Sequence, residues 1–202
     1  MIIIDVATSL QQAVQTVLHG GDGAKVTRAA ERSKRWERES DDLVNSVRAL
    51  AKRTESAGFF SDLLKLSDDV LDSLEEAAFL TTLGDSPASP QPEYASIVTM
   101  SDLALQASHE YLKALIAASY LHNDYGRSEM EDFLSPIDRV LNLEREGDDA
   151  HRAAQKLILQ ESADFKQMTL LLGLARTIEE GMNGFMRAVY ILRDYILENA
   201  SR

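Results

Sequence analysis

No cysteine occurs among the 202 residues of this chain. That excludes disulfides and thiolate metal sites, and it fits a reducing compartment. Four prolines and ten glycines leave few places where a helix must stop, so the elements between them must be long. No apolar run approaches the ~20 residues that a membrane-spanning helix needs, and direct membrane insertion is not expected. The stretch MIIIDVATSL has no basic segment and meets Asp5 early, so it does not read as a signal peptide. Positive charge is also scarce: 21 Lys and Arg stand against 33 Asp and Glu, a formal net charge of −12. Such a chain repels phosphate backbones and anionic lipid, so neither nucleic acid nor a lipid surface is an expected partner. Cations, metal ions among them, are favoured. There is no P-loop, no G-x-S-x-G, no H-E-x-x-H and no dinucleotide fingerprint. The sequence Asn199–Ser201 fits the glycosylation pattern but reads as chance, since nothing else points to secretion. The expected location is the cytoplasm.

What is present is helical periodicity. Hydrophobic residues make up 45% of the chain and charged residues 27%, ordinary proportions for a globular protein. Apolar residues recur at spacings of three and four almost throughout, and strand-like alternation is hard to find. The pattern predicts six helices. The first covers Ile2 to Leu18, with Leu10, Val14 and Val17 inside and Gly20–Gly21 as its stop. The second runs from Gly23 to Thr54 and the third from Phe59 to Leu83. The stretch GDSPASPQP follows, with Pro87, Pro90 and Pro92, and reads as a linker over 85–92. The fourth helix runs from Glu93 to Asn123. The fifth ends near Gln160 and contains Ser135–Pro136, either an N-cap with its proline or a kink. The sixth runs from Ala163, capped by Ser162, to Asn199. Residues 1–84 and 93–202 thus form two three-helix halves of an all-α antiparallel bundle.

The halves also share a motif. WERESDDLV at 36–44 and LEREGDDAH at 143–151 superpose Glu37 on Glu144, Asp41 on Asp148 and Asp42 on Asp149. Both stretches lie in the second helix of their half, which points to an internal duplication. On a helical wheel Val26, Ala30, Ser33, Val44, Val47 and Ala51 form the inner stripe of the second helix, and Glu37 with Ser40 or Asp41 fills its gap. In the fifth, Ile137, Val140, Leu141, Ala154 and Ile158 form the stripe, interrupted by Glu144, Gly147 or Asp148, and His151. Asp42 and Asp149 look outward.

The other two helices repeat the theme. Phe60, Leu64, Leu71, Leu74 and Ala78 share a side with Asp68 and Glu75, with Asp72 at its border. Met168, Leu172, Ala175, Met182, Met186 and Tyr190 share a side with Glu179 and Asn183. Glu37-x3-Asp41, Asp68-x3-Asp72, Glu144-x3-Asp148 and Glu179-x3-Asn183 all have the spacing that stacks two side chains on adjacent turns. Carboxylates on an inner face are costly unless paired, protonated or coordinated. Across two helices they would make an oxygen-rich site for iron, manganese, magnesium or zinc. His151 could add a nitrogen ligand, or simply be a satisfied helix histidine. Trp36, Met168, Met182 and Met186 read as packing. A wet bundle mouth and an Arg176 salt bridge to Glu179 would be the plain explanation of the acids.

At these residues the chain resembles a known family. WERESDDLVNSV with LSDDVLDSLEEAA, and LEREGDDAHRAA with LARTIEEGMNGF, are similar to the PhoU-like phosphate-transport regulators, closest to the branch that accompanies Pit-type phosphate transporters. The resemblance spans nearly the whole chain as two three-helix repeats. It implies metal clusters of iron or zinc, with Glu37, Asp41, Asp68, Asp72, Glu144, Asp148 and Glu179 as ligands. In that family such motifs can be surface-exposed. Asn183 stands where the family's last acid would be, which implies fewer or weaker metals in the second half. By the same resemblance the chain is not an enzyme but a cytoplasmic accessory of a membrane phosphate transporter or a phosphate-signalling protein, peripheral to the inner membrane. An acidic protein suits docking on basic cytoplasmic loops. A homo-oligomer stays open.

Two rivals remain. A ferritin-like carboxylate enzyme would need Glu-x2-His on two helices, and Asp148-x2-His151 is the only approximation. A metal-free structural bundle would use its acidic faces for contact with a partner and tolerate alanine at Glu37 or Glu144.

Overall fold

The computed structural model describes residues 1–51, 56–84, 92–121, 126–162 and 164–200. Six α-helices follow one another: α1 (Ile2–Leu18), α2 (Gly23–Ala51), α3 (Ala57–Leu80), α4 (Pro92–Tyr120), α5 (Arg127–Glu161) and α6 (Phe165–Ala200). No strand occurs among the described residues, and the all-α bundle expected from the periodicity is what the chain forms.

Local chemistry explains where the helices end. α1 stops in a Schellman motif: Gly21 N donates to Thr16 O at 2.9 Å and Gly20 N to Val17 O at 3.1 Å. Gly20 has φ of 62°, a left-handed conformation that favours glycine. α3 ends at Leu80, short of the expected Leu83. Thr81 Oγ1 donates to Ala78 O and Thr82 Oγ1 to Phe79 O, side-chain bonds that compete with continuing the helix. α4 opens on Pro92, a position where the missing N–H removes no helical bond. The remainder of the expected linker, with Pro87 and Pro90, lies outside the described residues, as do Thr54, Asn123 and Ala163. α5 runs unbroken through Pro136, so that proline starts no helix. Ser162 does not cap α6. It closes α5, its N–H donating to Ile158 O at 3.1 Å, while the Asp164 carboxylate takes the N–H of Gln167 at 3.0 Å. A carboxylate there also suits the positive end of the helix.

The packing is symmetric under exchange of the first three helices for the last three. α1, α2 and α3 contact one another pairwise, as far as α4, α5 and α6 do, and the halves meet through α1 with α4 and α3 with α6. Among the described residues α2 and α5 touch only their own halves. Short connections make sequence neighbours antiparallel. The central α3–α6 pair is antiparallel too: the Phe59 and Tyr195 rings stack at 3.7 Å, Gly184 lies against Val70, and Gly181 against Leu74. The two small residues let α6 sit close on α3. The core is built from α1 (Val6, Leu10), α3 (Val70, Leu74), α4 (Ile97, Met100), α5 (Ile137, Leu143) and α6 (Ile178, Phe185), all buried. Tyr111, also buried, shares a 2.7 Å hydrogen bond with Ser67. Burial pushes its phenol up to about 12.

Unequal lengths decide where the core runs out. α1 has 17 residues and α2 has 29, so the far end of the α2–α3 hairpin extends about 18 Å past α1. There Leu43, Val47 and Phe60 are exposed, Val47 at 38% and Phe60 at 39%. The expected inner stripe therefore fails at Val47 and Phe60. α1 no longer covers α2 at Val47, and Phe59 instead of Phe60 makes the contact with α6. In the second half α4 is 29 residues long and covers α5 further, and Leu143, Gly147, Ala154 and Ile158 are all buried.

Candidate functional site

The acidic motifs form two separate groups. On the first hairpin, Glu37 and Asp41 of α2 face Asp68, Asp72 and Glu75 of α3. Glu37, Asp68 and Glu75 are half-buried; Asp41 and Asp72 are exposed. On the second, Glu144 and Asp148 of α5 face Glu179 of α6, all three half-buried. None of the seven expected ligands is buried, so the inward placement read from the wheel is too strong. They stand along the seam where two helices meet at the edge of the core. The outward placement of Asp42 and Asp149 holds, both being exposed.

In the first group the carboxyls repel one another. Desolvation raises Glu37 above its ordinary value, and the charges of Asp41, Asp72 and Glu75 raise it further, with a hydrogen bond to Asp41 that a protonated carboxyl can donate. Asp68 is raised by desolvation and then by Asp41, against a lowering by Arg48. Asp72 is raised by desolvation, Asp68 and Asp41. Glu75 is raised by desolvation, with Lys34 and Arg38 pulling it down and Glu76 and Asp72 pushing it up. Among the described residues no Lys, Arg or His comes within ion-pair distance of any of the five. Carboxylates at a half-dry seam without an ion-pair partner, opposed only at longer range by Arg48, Lys34 and Arg38, lower their free energy by taking up protons or a cation.

The second group carries its own compensation. Desolvation, Asp148 and Glu179 raise Glu144, and Arg145 opposes them. Arg152 pairs with Asp148 at 3.3 Å, and the Asn183 amide donates to Glu179. Arg176, expected beside Glu179, instead pairs with Glu180 at 2.9 Å. His151 is not a satisfied helix histidine, because its Nε2 is buried without a hydrogen-bond partner.

Among the described residues no three Asp, Glu or His side chains converge to metal-holding distance. The first hairpin therefore presents donors on adjacent turns that side-chain rotation would have to gather. Glu75 is the member that reading by x3 motifs left out of the ligand set. Its signal was the wheel, where it falls on the side of Asp68. Among the described residues no helix is long and apolar enough to cross a membrane. No family model matches the chain, and no curated protein matches it.

Proposed function

We propose that the chain is a non-enzymatic regulator of PhoU-like type, a cation-binding helical bundle that adjusts inorganic phosphate uptake by docking on a Pit-type transporter from the cytoplasmic side. The observation that carries the cation-binding half is the α2–α3 seam. Five carboxylates stand there, four of them with raised pKa values, and no cation of the described residues pairs with them. Iron, zinc or manganese would take Glu37, Asp41, Asp68 and Asp72 as oxygen ligands, with Glu75 within the same seam. The second hairpin holds metal weakly or not at all, since Arg152 and Asn183 already engage Asp148 and Glu179. The regulatory half rests on the likeness of the four acidic segments to that family. The exchange-symmetric packing of the two three-helix halves supports a duplicated chain.

The test is uptake of labelled phosphate by cells that express a Pit-type transporter with the chain, without it, or with Glu37→Gln and Asp72→Asn together. A change in uptake on removal, reproduced by the double variant, supports the reading. Identical uptake in all three refutes it.

A further inference from the structure

The opposite face of α2 carries the reverse charge. Six of the chain's 21 Lys and Arg fall between positions 25 and 38: Lys25, Arg28, Arg32, Lys34, Arg35 and Arg38. Successive residues turn by about 100°, which divides them into two sets. Lys34 and Arg38 point toward α3, where they lower Glu75. Lys25, Arg28 and Arg32 border α1, and Arg35 continues their stripe on the solvent side of α2. In a chain of net charge −12 these four would be expected to find acids. None has an ion-pair partner among the described residues. Arg32 donates at 2.6 Å to the neutral amide oxygen of Gln12, which orients the guanidinium and leaves its charge uncompensated. The acids on this face of α2 are Glu31, Glu39 and Asp42, all exposed, and Glu31 lines a concavity beside Arg28, Arg32 and Arg35.

The stripe borders a recess. An open concavity of about 520 Å³ lies between the end of α1 and the start of α2, walled by Gln12, Thr16 and His19 on one side and by Lys25, Arg28 and Arg32 on the other. It offers cations and side-chain amide N–H groups, donors suited to phosphoryl oxygens. We infer that this recess binds a compact polyphosphorylated anion, carrying two or more phosphoryl groups, through Lys25, Arg28 and Arg32. A membrane surface or a nucleic acid would bring the remaining acidic surface of the chain close to an extended polyanion and be repelled. A compact ligand meets only the local positive field and fits between two helices.

The experiment is calorimetric titration of sodium tripolyphosphate into the full chain after treatment with chelator, so that no metal on the acidic seam can bridge the ligand. One site is expected, weakened by roughly tenfold or more for each arginine removed in Arg28→Gln and Arg32→Gln. Orthophosphate is expected to bind more weakly, and the affinity to fall with added salt. Lys34→Gln with Arg38→Gln, and Glu37→Gln with Asp72→Asn, are expected to leave binding intact. The second of these separates the recess from the proposed metal seam. No binding, unchanged affinity in the arginine variants, equal affinity for orthophosphate, or tighter binding to anionic vesicles or an oligonucleotide would each overturn the inference. All the substituted side chains are exposed or half-buried, and circular dichroism checks that helicity is retained.

Discussion

Neutralising one carboxylate of the α2–α3 seam should make the metal-free protein more stable. Asp72 is the informative position. Its own pKa is raised by desolvation and by Asp68, Asp41 and Asp69, and its charge in turn raises Glu37 and Glu75. Asp72→Asn keeps the shape and removes the charge from all these pairs. Because Asp72 is exposed, each repulsion is screened to a few tenths of a kcal/mol. Their sum is about 1 kcal/mol, a rise in Tm of roughly 3 °C for a chain of this size. The pH dependence has a definite sign. A carboxyl whose pKa is higher in the folded state than in the unfolded one binds more protons when folded, so its charge destabilises the fold above the folded pKa. That penalty fades as pH falls through the raised folded values. The gain from Asp72→Asn should therefore be full near neutral pH and shrink on acidification. Thermal unfolding followed by circular dichroism, with chelator present, reads both effects. A variant less stable than the parent at neutral pH would refute the reasoning, since it would mean that Asp72 makes a favourable contact. A gain independent of pH would refute the electrostatic origin.

Two further outcomes probe the packing and the caps. Gly184→Ala would push a methyl group into Val70 at the α3–α6 contact and should destabilise by roughly 1–3 kcal/mol, measured by urea unfolding. Asp164→Ala should cost about 1 kcal/mol through loss of the cap on Gln167 N, whereas Ser162→Ala, whose hydroxyl is buried without a partner, should cost much less in the same assay.

Much of the fold was legible because six long amphipathic segments leave little choice of class. The stops that carry their chemistry in sequence, such as Gly20–Gly21, were legible to the residue. Those set by competing hydroxyls at Thr81 and Thr82, or by the choice between Ser162 and Asp164, were not, because several adjacent residues can cap. The wheel grouped Asp68 with Glu75 correctly and placed Asp42 and Asp149 outside. It overstated the depth of Glu37 and Glu144. Periodicity gives the direction of a side chain but not its depth: Glu37 and Glu144 stand at the edge of the seam between two helices, while the early end of α1 accounts for the exposure of Val47. The compensation of the second acidic group by Arg152 and Asn183 was half visible, since Asn183 was already the missing acid. The basic stripe of α2 was hidden behind the net charge, which averages over faces that a helix keeps apart.

In the proposed function the cation is held on the first hairpin, and at most weakly on the second. Elemental analysis of the tag-free protein, purified without chelator, tests it directly beside Glu37→Gln with Asp72→Asn and beside Glu144→Gln with Glu179→Gln. Stoichiometric iron, zinc or manganese is expected in the parent, lost in the first variant and kept in the second, with helicity unchanged in all three. A parent free of metal even after incubation with each ion, or metal that survives loss of Glu37 and Asp72, would contradict that placement.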